Sequence, residues 1–290
     1  MKDKMGYYPG CSLLSTAAEY DLSLRAVFAA LGQELTEIPD WNCCGATAGH
    51  STSESLADAL VLRNLAQAEK AGFQEVVVPC AECYNLFKVT DYKMKNINKS
   101  TTETNTQILN ITGNAYHGGL EVVHPLQLLS QPHWLSLIEK AVVKPLTGMK
   151  VATYYGCLLT RPPQVAFDDV NYPLSMDTIL TAAGAEVRKW SYKTDCCGAS
   201  LALPRTETVE KFVGHLTAMA RRAGAEALAV ACPLCQANLD TRQKENRGAA
   251  MPIFYFSELM GLSFGQPAAR QWLKKHIVDP LPLVTRLELL

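Results

Sequence analysis

The ten cysteines of this chain constrain its folding more than any other feature, because they fall into two sets of the same shape. Cys11 is followed after 31 residues by Cys43-Cys44, and after 35 more by Cys80-x-x-Cys83. Cys157 is followed after 38 residues by Cys196-Cys197, and after 34 more by Cys232-x-x-Cys235, which leaves no cysteine outside the pattern. The flanks repeat as well. Tyr7-Tyr8-Pro9-Gly10 answers Tyr154-Tyr155-Gly156, Gly45-Ala46 answers Gly198-Ala199, and Val76-Val77-Val78-Pro79 answers Leu228-Ala229-Val230-Ala231. His124-Pro125-Leu126-Gln127-Leu128-Leu129 answers Phe256-Ser257-Glu258-Leu259-Met260 more weakly. Such self-similarity marks an internal duplication, with one supersecondary cycle used twice.

The hydrophobic pattern runs through the same cycle in each half. Short apolar runs end at each lone cysteine (Tyr7-Tyr8; Val151 to Tyr155). Helical patterns follow at Ala17 to Leu31 and Pro173 to Ala183, each closed by a glycine (Gly32, Gly184). A strand follows at Glu34 to Ile38 and at Glu186 to Trp190, then the Cys-Cys-Gly turn, then longer helices at Ser53 to Ala71 and Glu207 to Ala223. Buried strands at Glu75 to Val78 and Ala227 to Ala231 lead into Cys-x-x-Cys, which opens another helix. Strands alternating with helices predict an α/β fold of two similar halves, each a small, largely parallel sheet flanked by helices. All three cysteine elements of a half then lie at the carboxyl ends of strands, where ligand sites of such sheets gather. The expected repeats are residues 1–147 and 148–290, joined near Val142 to Met149. The Asn- and Thr-rich stretch 93–119 is expected as an exposed excursion without periodic structure, and the tail from Gln271 as packing on the second half or on a partner.

A net charge of −1, with 19% charged residues, gives no basic excess for nucleic acid or for an anionic membrane. The opening Met1 to Gly10 has no apolar leader run, and no stretch is apolar enough to span a bilayer. The expected compartment is therefore the cytoplasm, where cysteines serve metal or redox chemistry and not a disulfide framework. Thiolates are soft ligands suited to iron–sulfur clusters, zinc or copper(I). Five per half exceeds the four of tetrahedral zinc and of an ordinary four-iron cubane. The surplus points to an unusual cluster, or to one cysteine with a separate redox role. A thioredoxin-like dithiol accounts for Cys-x-x-Cys but not for the adjacent pairs.

The two Cys…Cys-Cys-Gly…Cys-x-x-Cys units resemble the CCG motif of the heterodisulfide reductase B subunit family and its bacterial relatives in sulfur oxidation. The likeness is sharpest in Tyr155-Gly156-Cys157-Leu158-Leu159, Arg161-Pro162-Pro163, Tyr192 to Leu201 and Cys232-Pro233-Leu234-Cys235. The resemblance implies two noncubane [4Fe-4S] clusters. One would be held by Cys11, Cys43, Cys44, Cys80 and Cys83, the other by Cys157, Cys196, Cys197, Cys232 and Cys235. It further implies that a disulfide, or a thiol carrying sulfur on a lipoate-binding protein, reacts between the clusters. Electrons would pass through an iron–sulfur C-type subunit from a flavin-bearing A-type subunit. The chain has no Gly-x-Gly-x-x-Gly fingerprint of its own, in keeping with a flavin carried elsewhere. The alternative is a non-catalytic electron-transfer subunit, or a zinc-stabilised structural subunit, of a dehydrogenase complex.

Outside the cysteines, Lys193, Arg161 and His124 are the candidates for binding an anionic thiol substrate, each with a structural role as its competing explanation. The tyrosines before the lone cysteines read as core residues shielding the site, and Gly45 and Gly198 as turns with positive φ or close approach. Asp195 is expected to raise the pKa of Cys196 by like-charge repulsion. His50, His117, His133, His215 and His276 form no ligand-spaced pair.

Overall fold

The computed structural model describes residues 5–243 and 250–290, without the side chains of Thr47 and His50. The expectations for Met1–Lys4 and for His50 lie outside the described residues. The first half runs β1 (Met5–Tyr7), α1 (Gly10–Leu13), α2 (Ala18–Ala30), β2 (Leu35–Glu37), α3 (Ala46–Thr52), α4 (Glu54–Lys70), β3 (Glu75–Val77), α5 (Ala81–Lys95), α6 (Lys99–Thr112), β4 (Glu121–Val123), α7 (Pro125–Leu129) and α8 (Pro132–Ala141). The second runs β5 (Lys150–Tyr154), α9 (Ser175–Ala182), β6 (Glu186–Val187), α10 (Thr206–Arg222), β7 (Ala227–Val230), α11 (Pro233–Thr241), β8 (Ile253–Tyr255), α12 (Phe256–Ser263), α13 (Ala269–Leu273) and α14 (Leu281–Arg286).

Each half builds one four-stranded sheet, ordered β2-β1-β3-β4 and β6-β5-β7-β8. Every pairing is parallel, and Tyr7 pairs with Val77 as Tyr154 pairs with Val230. Both faces are covered by helices, so the inner strands are apolar throughout: Val76, Val77, Ala152, Leu228 and Ala229 are fully buried. The order puts a topological switch between β1 and β3, and again between β5 and β7. The crevice beyond the strand ends at such a point is where these sheets bind ligands.

The expected α/β duplication is therefore the observed fold, with two departures. Residues 99–112 form α6, which is helical and not a structureless excursion. Asn98 caps its start by accepting from the Thr101 amide, and Gly113 ends it with φ +69°. Thr101 Oγ1 donates to buried Asp58 on α4 (2.9 Å), and Asn105 bonds the Tyr116 backbone, so hydrogen bonds hold this helix where an apolar stripe normally would. The strands β4 and β8 also escape the sequence pattern: they are three residues long, and no cysteine marks their ends as it does those of β1 and β3.

The halves interlock. Helix α2 of the first half packs on α12 and α13 of the second. At this contact Ser23 Oγ meets Ser257 Oγ at 2.7 Å and the Tyr20 ring stacks on Tyr255 with centroids 4.2 Å apart. The tail packs onto the body through Trp272, which lies so close to Gly261 that a Cβ there would sit 2.5 Å from its ring. It is also tied down by a buried ion pair, His276 Nε2 to Glu258 Oε1 at 2.9 Å, and by Asp240, which accepts from the Ile277 and Val278 amides. Burial pushes the His276 pKa down, but Glu258 and then Asp240 outweigh it and raise the pKa to about 9.

Gly261→Ala should destabilise the fold by about 1–3 kcal/mol through overpacking, read as a lower denaturant midpoint. A folded-state pKa raised above the unfolded value stabilises fully below the unfolded value and is lost as pH rises through the folded one. Stability should therefore fall as pH rises toward and through about 9, and pH-dependent melts of His276→Gln should show a flatter slope over that range.

Candidate metal centre

Each cysteine element takes its position from a strand end. Cys11 and Cys157 follow β1 and β5, and the Cys-Cys pairs follow β2 and β6. Cys80 and Cys232 are the N-cap residues of α5 and α11, which aim helix N-termini at their sulfurs. Gly45 and Gly198 turn the chain after each pair with φ +86° and +81°. Gly10 (φ +68°) and Gly156 (φ +68°) leave room for sulfur: a Cβ there would lie 3.4 Å from Cys83 Sγ and 3.1 Å from Cys235 Sγ. Tyr8 and Tyr154 lie beneath the sets, buried, and donate to the carbonyls of Asn42 (2.9 Å) and Asp195 (2.5 Å), the residues just ahead of each Cys-Cys pair.

All ten thiols are free. In the first set Cys44 Sγ lies 3.0 Å from Cys83 Sγ, and Cys11 Sγ lies 3.7 Å from Cys43 Sγ. In the second, Cys197 and Cys235 are 3.5 Å apart and Cys157 meets Cys196. The sets are not separate, because Cys80 of the first half and Cys232 of the second are close enough for each to shift the other's titration. Sulfur contacts thus run without a break from Cys43 through Cys44, Cys83, Cys80, Cys232 and Cys235 to Cys197.

Along this chain the titrations diverge. Hydrogen bonds from Cys43 and Cys83 draw Cys44 down to about 3, and bonds from Cys235 and Cys80 hold Cys232 well below the ordinary thiol value. Cys80, Cys83 and Cys235, which give up those bonds and are buried, are pushed up. Cys196 falls to about 6: the Cys157 hydrogen bond, helped by the Gly198 amide, outweighs both burial and Asp195. Asp195 does push upward as expected, but it does not decide the outcome. Sulfurs this close cannot all ionise without compensating positive charge.

That donor set fits polynuclear iron. Five soft sulfurs per half converge at one sheet edge, and glycine backbones admit them. Five thiolates per half exceed the four that one tetrahedral zinc takes.

Comparison with known proteins decides the family. The cysteine-rich CCG domain matches residues 5–88 and again 151–240. This chain belongs to the CCG family. It is 30% identical over 289 residues to the 8-methylmenaquinol:fumarate reductase membrane anchor subunit of Wolinella succinogenes, covering 98% of this chain and 100% of that one. It is 25% identical over 271 residues to the B subunit of the ferredoxin/F(420)H(2)-dependent CoB-CoM heterodisulfide reductase of Methanosarcina acetivorans, covering 90% and 89%. The B subunit of the ferredoxin:CoB-CoM heterodisulfide reductase of Methanosarcina mazei is 22% identical, covering 98% and 97%. The resemblance to the heterodisulfide reductase B subunit thus extends along most of the chain. A hypothetical protein from Helicobacter pylori shares the fold, with TM-score 0.73 at 12% identity; the chain covers 52% of its length. No helix among the described residues is long and apolar enough to cross a membrane.

A cavity of about 410 Å³ opens on the second CCG repeat and is lined by all five of its cysteines, with Ala46, Ala81 and Glu82 reaching in from the first. The three residues proposed for anion binding do not line it. Lys193 is wholly buried: Nζ donates to Asp177 and to the Pro173 carbonyl (2.9 Å) beneath the Tyr172 ring, leaving no free direction for a substrate anion. Asp177 also accepts from Tyr155 (2.8 Å), and the first repeat has the same arrangement in Tyr7, Asp21 and Arg25. Lys193 is therefore a structural cation. Arg161 is exposed; its carbonyl accepts from Asn85. His124 is wholly buried, and burial lowers its pKa to about 4. It caps α7 through Nδ1, and its Nε2 lies 2.9 Å from the Pro79 carbonyl, one residue ahead of Cys80.

Sequence reasoning passed over Tyr20 and Tyr255, which carry no motif. Both are buried at the join between the repeats, Tyr20 beside Cys232 and Cys80 and Tyr255 beside Cys232. The weak match of His124-Pro125 to the start of α12 was the available signal.

Gly156→Ala should strain the backbone and press on Cys235. Iron per chain should fall below that of the wild type while the secondary structure by circular dichroism is kept.

Proposed function

We propose that this chain is the iron–sulfur subunit of a multi-subunit, heterodisulfide-reductase-like oxidoreductase that reduces or forms a disulfide. Repeat 1–147 would hold one [4Fe-4S] cluster on Cys11, Cys43, Cys44, Cys80 and Cys83. Repeat 148–290 would hold another on Cys157, Cys196, Cys197, Cys232 and Cys235. The observation that carries this reading is the meeting of the two sulfur sets at Cys80 and Cys232, beside a cavity that touches both repeats. Two centres so joined suit a two-electron bond: R–S–S–R′ takes two electrons and two protons to give RSH and R′SH, and the oxidative direction is the reverse.

When bound, noncubane clusters would supply one electron each and an iron site for sulfur. The chain's own residues do the rest. Tyr8 and Tyr154 fix the Cys-Cys loops, and the glycines let backbone approach sulfur. Ala46, Ala81, Leu158, Ala199 and Leu234 make the cavity apolar, with Glu82 the charged residue lining it among those described. An aliphatic disulfide arm, such as one borne on a lipoate-binding protein, fits that lining better than a thiol with an anionic group beside its sulfur. Electrons would come through an iron–sulfur C-type subunit from a flavin-bearing A-type subunit, and ten free thiols suit a reducing cytoplasm.

A second reading is favoured by the Wolinella relative: electron transfer within a quinol-linked fumarate reductase, without disulfide chemistry. Anaerobically purified protein should contain about eight irons, a similar amount of labile sulfide and little zinc. The reduced protein should be reoxidised by an uncharged cyclic disulfide faster than by an anionic one. Reoxidation by a quinone and by neither disulfide would select the second reading, and two zincs without iron would exclude both.

A further inference from the structure

We infer that Tyr20 and His124 are positioning residues that clamp the two Cys-x-x-Cys turns together and so set the spacing between the clusters. This rests on the reading that each repeat holds a cluster. The Tyr20 hydroxyl lies 3.2 Å from the Pro79 carbonyl and 3.4 Å from the Ala231 carbonyl. Those carbonyls belong to the residues immediately before Cys80 and Cys232, the two cysteines in contact across the repeats. One hydroxyl thus bridges both turns.

His124 works from another side of the same point. Its Nδ1 accepts from the Leu126 amide at 3.2 Å, so the ring proton sits on Nε2, which donates to Pro79 O at 2.9 Å and also reaches the Ala231 backbone. Its ring stacks on Phe167 and meets Tyr84 edge-on. The Tyr20 ring is fixed in turn by its parallel stack on Tyr255, 2° from coplanar. His124 and Tyr255 are the N-cap residues of α7 and α12, the helices that follow the edge strands β4 and β8. Neither side chain touches the cavity, so neither is a catalytic residue.

The magnetic interaction between two reduced clusters falls steeply with their separation and blurs when that separation varies, which makes it a direct readout. Iron, sulfide and the paramagnetic resonance spectrum of the reduced, cluster-loaded protein should be measured for the wild type, Tyr20→Phe, His124→Leu and His124→Gln. Tyr20→Phe keeps the stacked ring and loses only the bridging hydroxyl. It should retain full iron but show an interaction several-fold weaker or broadened. His124→Leu should do the same, and His124→Gln, whose amide can donate to Pro79, should restore the wild-type spectrum. Full iron with an unchanged interaction in both Tyr20→Phe and His124→Leu would overturn the clamp alone. Loss of iron from Tyr20→Phe would overturn it too, since the hydroxyl would then be holding a cluster and not spacing two. A wild type lacking two clusters would instead overturn the reading on which the clamp rests.

Discussion

The contact between Cys80 and Cys232 is the constraint around which the rest of this structure is arranged. Bringing thiols from two sheets together in a buried place is costly, because neither ionised sulfur is solvated and like charges repel at that distance. The chain offsets the cost with directed dipoles. Each of the two cysteines caps a helix, and each preceding carbonyl is engaged by Tyr20. The packing of α2 against α12 and α13 follows from the same need, since it carries Tyr20 to the join. Positive charge from iron would complete the compensation that protein dipoles only begin.

The two repeats keep one plan while differing in its parts. Beneath the first, Arg25 and Tyr7 hold Asp21; beneath the second, Lys193 and Tyr155 hold Asp177. Arg25 comes from the helix that carries its aspartate, whereas Lys193 comes from the loop ahead of the Cys-Cys pair. The lysine thereby ties that loop to α9, and a residue with the look of a substrate-binding cation turns out to be a buried brace. The cavity is likewise one-sided: the second set lines it fully, while the first contributes flanking residues and no cysteine.

How much of this could be read beforehand depended on whether the signal was local. Strands leading to cysteines, glycine-stopped helices and Cys-x-x-Cys at helix starts are short-range patterns, and the structure has them close to where the spacing puts them. Helix α6 escaped because the face it buries is polar: Thr101 and Asn105 are held by hydrogen bonds to Asp58 and Tyr116. Whether Lys193 binds a substrate anion or braces the fold was hidden for a similar reason: burial of a cation depends on partners distant in sequence, here Asp177 and Pro173.

The sequence by itself determined the duplication, the alternating strands and helices, and two sets of five cysteines at strand ends, because each follows from periodicity and spacing along one stretch of chain. Only the tertiary structure decided that the sets touch at Cys80 and Cys232, that Tyr20 and His124 bridge the turns behind them, and that the cavity opens on the second repeat. Those relations join residues up to 211 positions apart. They are fixed by how two sheets dock, and no local pattern of residues encodes that.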